Sequence, residues 1–312
     1  MLNEFPGEIN FDVSEWVLKG ENTTCVDFDN DGNAWIASGS NLIFHDGLNT
    51  QSYSAGTVIQ DVSVAPDGRV WLGTKEKGLA RFYKGEFTFY TSENAGLPRD
   101  YVNEVEVAPN GKIWFSSAAH NLGGLMYYDN GTFSLYTPEN SMLNQNVIQN
   151  LKVDRESRAY FVSMGTVGNA AVFSIDNQNN WKQLGGDASF YWISALDLTS
   201  KDEPVLTTDH SLSSCAGCYE NEVFIYKNGK WQKIEGNFDV GFFNRMFVDK
   251  RDFIWARGSK EGDYSSYFVY DGQNWHRSAE GQIPEVFIKA VNVDHQNNIW
   301  FCTDEGIFIL RQ

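Results

Sequence analysis

Hydrophobic and polar residues alternate with a period of two along most of this chain, and the alternation recurs within a longer unit. Each unit contains an apolar–any–apolar triplet, a short turn rich in Asp, Asn and Gly, and an aliphatic residue followed by an aromatic anchor. The unit over residues 60–91 predicts four strands, at 60–65, 69–74, 79–83 and 86–91. The chain is therefore predicted to consist of short strands joined by tight hairpins.

The unit occurs seven times, with 36 to 50 residues between successive anchors. The fifth copy is degraded because it keeps the spacing but has no aromatic residue. The anchors are Trp35, Trp71, Trp114, Tyr160, Val205, Trp255 and Trp300. This period is typical of the four-stranded blades of a β-propeller, which bury their apolar faces against neighbouring blades in a ring.

The turn residues support hairpins at the same place in every unit. The residues three positions before the anchors are Gly32, Gly68, Gly111, Ser157, Asp202, Asp252 and Asn297. Most of these types tolerate the positive φ of a tight turn, and Ser157 fits least well. We therefore predict an all-β protein, with residues 1–312 forming a single seven-bladed β-propeller of four-stranded antiparallel blades.

The chain termini are predicted to close the ring. After Trp300, residues 303–310 supply only one further strand, whereas residues 14–18 resemble the outer strands at 229–233 and 273–277. Residues 14–19 are thus expected to complete blade seven as its fourth strand.

The segments 87–98, 102–114 and 123–125 resemble the two-component regulator propeller repeat. The similarity extends over nearly the whole chain and is weakest in the fifth unit, where Pro204-Val205 replaces the aliphatic–Trp pair. The resemblance implies a seven-bladed propeller and export, since members are often extracytoplasmic sensor domains or secreted proteins. A periplasmic or secreted location is therefore expected. The first residues lack the features of a secretory signal, so either the signal has been removed or the protein is cytoplasmic.

The net charge and the hydropathy of the chain argue against two classes of partner, nucleic acids and membranes. The chain has 24 Lys and Arg against 41 Asp and Glu, a formal net charge of −17, and no apolar run of membrane-spanning length. A strongly acidic protein repels phosphate backbones and anionic lipid surfaces. Nucleic-acid binding and direct membrane insertion are therefore not expected.

The predicted connections differ between the two faces of the propeller. The turns between the first and second strands, and between the third and fourth, are short in every blade. Insertions fall on the opposite face, at residues 116–123, 163–169, 209–221 and 258–266 of blades three to six. Because binding residues concentrate on long loops held by a rigid scaffold, this long-loop face is the predicted functional face. Loop drift without function is the alternative.

The repeat places one polar residue per blade at the channel mouth of the long-loop face. Eleven positions before the anchors lie Thr24, Gln60, Asn103, Gln149, Ser194, Asn244 and Lys289. Amides and hydroxyls both donate and accept hydrogen bonds, as recognition of a saccharide, a peptide or another polar ligand requires. Ordered water in the channel is the alternative occupant of this polar ring.

Aromatic and charged residues accompany the polar ring. Two positions before it lie Tyr101, Trp192, Phe242 and Phe287, which are expected either to stack on a ligand or to pack beneath the loops. One position after it, Asp61, Glu104 and Arg245 are expected either to set the charge of the ligand or to pair with each other. Asp61 and Glu104 also form a weaker candidate for an acid–base pair.

Metal and cofactor sites are not predicted. The stretch from Asp27 to Gly32 resembles the start of a calcium loop, but Ser38 replaces the final Glu, so a hairpin turn explains it better. Cys215 and Cys218 lack the second pair of a structural zinc site. In an exported protein they are expected to form a disulfide that clamps the loop, and otherwise to remain free thiols.

The leading interpretation is a non-catalytic propeller that binds a polar small molecule, a glycan or a protein. A propeller lyase or hydrolase with its site at the channel mouth is the alternative, and a structural spacer or assembly subunit is the third possibility. The virginiamycin B lyase family uses a histidine at the central site. Here none of the five histidines falls on the polar ring, and only His120 and His210 lie on inserted loops. No catalytic residue is therefore assigned.

Overall fold

Seven sheets, each built on four antiparallel strands, form the fold. The computed structural model describes residues 8–9, 13–117, 123–164, 170–186, 190, 192–211, 219–236, 242–259, 267–278, 283 and 286–312. Each innermost strand contacts the innermost strand of the next blade, and blade seven contacts blade one in the same way. The predicted seven-bladed propeller of four-stranded antiparallel blades is confirmed.

The strands follow the blades in chain order. Blade one comprises β3–β6, blade two β7–β10, blade three β11–β14, blade four β15–β18, blade five β19–β22, blade six β23–β26, and blade seven β27–β29 with β2. Their bounds are β1 (Glu8–Ile9), β2 (Val13–Val17), β3 (Thr23–Phe28), β4 (Ala34–Ser38), β5 (Asn41–His45), β6 (Thr50–Ser54), β7 (Ile59–Val64), β8 (Val70–Thr74), β9 (Leu79–Tyr83), β10 (Glu86–Tyr90), β11 (Glu104–Val107), β12 (Ile113–Ser117), β13 (Gly124–Asp129), β14 (Thr132–Tyr136), β15 (Ile148–Val153), β16 (Ala159–Met164), β17 (Ala170–Ile175), β18 (Trp181–Gln183), β19 (Ile193–Leu198), β20 (Pro204–Ser211), β21 (Tyr219–Lys227), β22 (Lys230–Ile234), β23 (Phe242–Val248), β24 (Ile254–Ser259), β25 (Tyr267–Tyr270), β26 (Trp275–Ser278), β27 (Ile288–Val293), β28 (Ile299–Thr303) and β29 (Gly306–Arg311).

Two features add to this pattern. Strand β1 pairs in parallel with β26 and extends blade six, which the sequence analysis did not predict. A four-residue helix, α1 (Ser92–Ala95), follows blade two. No helix in the described parts of the chain is long and apolar enough to cross a membrane.

The N-terminal segment closes the ring. Strand β2 pairs antiparallel with β29, from Val13 opposite Arg311 to Val17 opposite Ile307. The rings of Trp16 and Phe308 meet edge to face, with centroids 5.5 Å apart. Blade seven is thus built from both chain regions, as predicted, so strand pairing and aromatic packing hold the ring shut.

The hydrophobic core lies between adjacent blades. Trp71 of blade two, for example, packs in one cluster with Val105, Phe115 and Met126 of blade three. Most anchors are buried, and Trp114 and Trp255 are fully so. Burial of large aromatic side chains between sheets is the main favourable contribution to association of the blades.

The hairpin turns adopt the predicted backbone conformation in all seven blades. The residue three positions before each anchor has a positive φ, between 59° and 85°. Ser157, the least expected of these residues, has φ 64°. Its hydroxyl oxygen accepts the backbone N–H of Asn110 at 3.0 Å, which ties this turn to blade three.

An aspartate organises the turn in four blades: Asp29, Asp154, Asp249 and Asp294, each six residues before its anchor. In blade six, the Asp249 carboxylate accepts the N–H groups of Arg251 and Phe253 and the indole N–H of Trp255, at 2.9, 3.1 and 3.1 Å. The same carboxylate therefore fixes both the turn and the anchor, which accounts for the Asp-rich turn sequences.

Candidate functional site at the long-loop end of the channel

A recurrent β-bulge underlies the polar ring. The ladder between the two innermost strands skips one residue in five blades: Thr24, Gln60, Ser194, Asn244 and Lys289. In blade four the shift follows Gln149, and in blade three Asn103 immediately precedes β11. A bulge inserts one residue that leaves the regular ladder, so the repeat can change a side chain here without disturbing the core.

The side chains of the polar ring differ in their hydrogen-bond partners. Thr24, Gln60, Asn103, Gln149, Ser194 and Lys289 are partly buried, whereas the side chain of Asn244 lies outside the described part of the chain. The Ser194 hydroxyl lies 2.9 Å from the Thr207 hydroxyl, and the Lys289 ammonium contacts the Asn22 side chain. The amides of Gln60 and Gln149 form no side-chain hydrogen bond with the described residues. These two amides retain free donors and acceptors.

Exposed apolar side chains accompany the polar ring, two positions before it in the repeat. Trp192 is 47% exposed, Phe287 65% and Val58 40%. Tyr101 is partly buried, and Phe242 begins β23 with its side chain outside the described region. Of the six exposed large hydrophobic residues in the described chain, three share this single repeat position. Val58 was not predicted, although the same register identifies it.

The acidic residues next to the ring connect neighbouring blades. The Asp61 carboxylate accepts the backbone N–H of Val105 at 2.9 Å. Glu104 accepts the N–H groups of Asn150 and Leu151 at 3.0 and 2.9 Å. Both side chains thus bond to the backbone of the next blade, which gives the suggested acid–base pair a structural role. Arg245 likewise donates to the Lys289 carbonyl of blade seven, at 2.8 Å.

A second layer of charge follows deeper in the channel, three residues after the polar ring. The Lys152 ammonium lies 3.4 Å from Glu106, and Asp27 and Asp197 accept backbone N–H groups of blades two and six at 2.7 and 2.8 Å. The sequence analysis missed this layer. The repeat contains the necessary signal, since six of the seven blades have a polar residue at this position: Asp27, Ser63, Glu106, Lys152, Asp197 and Asn292.

Burial dominates the electrostatics of these carboxyl groups. It raises the pKa of Asp61 to about 8 and that of Asp27 to about 6, and it also raises the pKa of Glu104 and of Glu106. Burial alone would lower the pKa of Lys152, but the charge of Glu106, followed by those of Asp197 and Asp61, raises it above the ordinary value. Burial thus favours the neutral form of these acids, whereas the neighbouring acids favour the charged form of Lys152.

Several predicted features fall outside the described residues: His120, Cys215, Cys218 and most of the four inserted loops. The side chain of His210, in β20, is likewise not described. His276 lies on the short-turn side, with Nε2 2.7 Å from the Asp271 carboxylate. Cys25 and Cys302 are buried free thiols, and burial raises the pKa of both. No group of three potential metal ligands occurs among the residues that the structure describes.

Two open grooves between blades are lined by described residues of the short-turn face. One, of about 580 Å³, lies between blades four and five beside Tyr160, Trp181 and Tyr226. The other, of about 380 Å³, lies between blades two and three beside Trp71 and Tyr128. The sequence analysis did not predict either groove.

Comparison with known proteins shows the fold of this chain. No protein-family model and no curated protein matches the sequence. The structure is similar to the extracellular domain of BT3049 from B. thetaiotaomicron, described as a hybrid two-component system, with a TM-score of 0.68 and 15% identity over 96% of this chain. The chain spans only 42% of that domain.

Two further solved structures match over nearly their whole length. A catalytically inactive virginiamycin B lyase from Staphylococcus aureus, solved with quinupristin, has a TM-score of 0.71 and 13% identity over 96% of this chain and 99% of its own. YCF48 bound to D1 peptide has a TM-score of 0.70 and 11% identity over 98% and 97% of the two chains. The resemblance to two-component regulator propellers is thus confirmed at the level of fold: this chain is a seven-bladed propeller similar to an extracellular domain of such a system.

Proposed function

We propose that this protein is a non-catalytic, extracytoplasmic binding propeller that recognises a polar ligand, namely a saccharide, a peptide or a protein surface, on its long-loop face. The exposure of Val58, Trp192 and Phe287 at one repeat position carries this proposal. Exposed apolar side chains beside polar groups are typical of binding surfaces, because they supply contact area while the polar groups fix orientation.

The polar ring supplies the second half of the site. The amides of Gln60 and Gln149 offer donors and acceptors next to the exposed apolar positions. The remaining proposed contacts come from Asn103, Ser194, Asn244 and Lys289 in the ring, from Glu104 and Arg245 beside it, and from Tyr101 and Phe242 at the aromatic position. A ligand would then stack on the aromatic rings and exchange hydrogen bonds with the ring.

The hydrogen bonds of the nearby carboxylates to the backbone support binding rather than catalysis. A general acid or base needs a reach of about 3 Å to the reacting group. Asp61 and Glu104 instead direct their oxygens at backbone N–H groups of the next blade. The Lys152–Glu106 pair lies deeper in the channel, three residues after the ring positions.

Related folds give further support. The solved YCF48 holds a peptide, the solved virginiamycin B lyase was crystallised with quinupristin, and BT3049 contributes an extracellular domain.

Fractionation of the source cells, with immunodetection in each compartment, tests the extracytoplasmic location. Recovery in the cytoplasm alone would remove that part of the proposal.

Binding screens with matched variants test the site. The full chain is screened against glycan and peptide arrays, and hits are quantified by calorimetry. Trp192→Ala and Phe287→Ala are expected to weaken binding roughly three- to tenfold, the size of one aromatic contact. The controls are Leu48→Ala and Tyr83→Ala, which remove exposed hydrophobic side chains from the short-turn face. Equal losses in the control variants, or no binding to any probe, would refute the proposal.

A further inference from the structure

A row of polar side chains crosses blade six at its long-loop end. Arg245 in β23 pairs with Arg257 in β24, which pairs in turn with Tyr267 in β25. The Ser278 hydroxyl in β26 accepts the backbone N–H of Tyr267 at 3.1 Å. Directly paired residues of adjacent strands project from the same face of a sheet. Arg245, Arg257, Tyr267 and Ser278 therefore share one face, and we call them the blade-six row.

The blade-six row breaks the repeat. At the positions of Arg257 and Tyr267, the other blades pair a small or apolar residue with an aliphatic one. These pairs are Ala37 and Leu42, Gly73 and Leu79, Ser116 and Leu125, Val162 and Val172, Thr207 and Val223, and Cys302 and Ile307. Yet Arg257 is only 3% exposed and Tyr267 is 0% exposed. Burying such groups is costly, and breaks in a local pattern of this kind occur mainly at functional sites.

The surroundings place the row beside the proposed binding face. Arg245 donates to the Lys289 carbonyl at 2.8 Å, and Arg257 donates to the Val286 carbonyl at 3.3 Å. These two carbonyls flank Phe287, which is 65% exposed. The arginines therefore hold the segment that presents Phe287.

The Tyr267 hydroxyl points to a missing ligand group. It is buried and has no hydrogen-bond partner. Burial raises the pKa of Tyr267, while the charges of Arg257 and Arg245 act in the opposite direction, so the hydroxyl lies within electrostatic reach of both guanidinium groups. Buried hydroxyl groups nearly always have a partner, and an unpartnered one calls for an explanation.

We propose that the blade-six row binds the anionic oxygens of a ligand, a carboxylate or a phosphate, between the guanidinium groups of Arg245 and Arg257 and the Tyr267 hydroxyl. Guanidinium donors match carboxylate and phosphate oxygens in geometry, and the hydroxyl adds one more donor. This inference rests on the proposed function, because the anionic group would belong to the ligand of the long-loop face.

The net charge of −17 makes a specific test possible, since a strongly acidic protein repels anions elsewhere on its surface. Calorimetry at constant ionic strength compares glucuronate with glucose, which lacks the carboxylate, and inorganic phosphate forms a second arm. Saturable binding is expected for glucuronate or phosphate, with glucose at least tenfold weaker. Binding of glucuronate alone would identify a carboxylate site, and binding of phosphate alone a phosphate site.

Variants of the row complete the test. Arg245→Gln is expected to weaken anion binding at least tenfold and Tyr267→Phe about threefold. Arg155→Gln, which removes an exposed arginine paired with Asp202 on the short-turn face, should leave it unchanged. Tyr267→Phe deletes only an unpartnered hydroxyl, so its melting temperature without anion should be equal to or above that of the parent.

Two outcomes would overturn the inference. One is the absence of saturable binding for both anions. The other is equal anion affinity in the parent, Arg245→Gln and Tyr267→Phe. If a glycan or peptide then binds through Trp192 and Phe287 independently of the row, the proposed function stands and this inference alone fails.

Discussion

The Asp61 carboxylate of blade two accepts the backbone N–H of Val105 in blade three, at 2.9 Å. Asp27, Glu104 and Asp197 make the same kind of contact to the next blade. Innermost strands converge around the channel and cannot pair as a continuous sheet there. Side-chain acceptors therefore satisfy backbone donors across the gaps, and buried acids become structural parts of the ring.

These acids predict that stability falls as pH rises. Burial raises the folded-state pKa of Asp61 from 3.8 to about 8. Between these values the folded protein keeps a proton that the unfolded chain releases, so raising the pH favours unfolding. The contribution of Asp61 is present below its unfolded-state pKa and is lost by about pH 8. Asp61→Asn, whose amide oxygen still accepts the Val105 N–H, should reduce this pH dependence in urea unfolding curves.

The charged neighbours of Asp61 limit the size of that effect. Burial also raises the pKa of Asp27, Glu104 and Glu106, which remain in the variant, so it should retain part of the slope. Asp176→Asn is the control, because hydrogen bonds from Asn180 hold the pKa of this surface aspartate below its ordinary value. It should not alter the slope above pH 5. An unchanged slope in Asp61→Asn would contradict the interpretation.

Ring closure predicts a specific weakness at Trp16. Trp16→Ala removes the contact with Phe308 and should destabilise the protein by roughly 2–3 kcal/mol. It should also expose the N-terminal segment to protease below the main melting transition. Limited proteolysis followed by mass spectrometry measures this directly.

Trp231→Ala is the matched control for ring closure. Trp231 lies on the outer strand of blade five, whose four strands are continuous in sequence. This variant should lower stability without early release of the N-terminus. Identical cleavage patterns in the two variants would show that β2 does not act as the closing strand.

Loss of a turn aspartate should cost more stability where its hydrogen bonds are buried than where they are exposed. Asp249→Ala leaves the N–H groups of Arg251, Phe253 and Trp255 without their acceptor, at a cost of about 2–4 kcal/mol. Asp46→Ala removes the acceptor for Leu48 and Asn49 in an exposed turn, where water replaces it. Chemical denaturation should show the larger loss for Asp249→Ala, and equal losses would contradict the proposed role of burial.

Gly→Ala substitutions at two positions distinguish the cost of a positive φ from the cost of a steric clash. Gly78 and Gly47 both have positive φ, at 68° and 89°. A Cβ at Gly78 would clash with the Tyr90 carbonyl oxygen, whereas one at Gly47 meets nothing within 4 Å. We expect Gly47→Ala to cost about 1 kcal/mol and Gly78→Ala roughly 2–4 kcal/mol in thermal unfolding. Similar melting temperatures would rule out the predicted clash.

Local features of the sequence were sufficient to predict the blades, the turns and the closing strand. Alternation with period two predicts the strands, and a residue such as Ser157 takes a positive φ because the hairpin around it requires one. The position of Trp16 could be inferred because the seventh unit lacks its fourth strand. The polar ring was found in register because the bulge recurs at the same place in the repeat.

Only the tertiary structure decided what the charged and aromatic side chains contact. Asp61 bonds to Val105 and Lys152 lies beside Glu106, partners from other blades that are more than 40 residues away in sequence. The exposure of Trp192 and Phe287, and the alignment of Arg245, Arg257 and Tyr267 on one face, likewise depend on how strands pair and blades meet. The repeat determines the position of each residue within its blade, whereas the contacts between blades depend on side chains that follow no period.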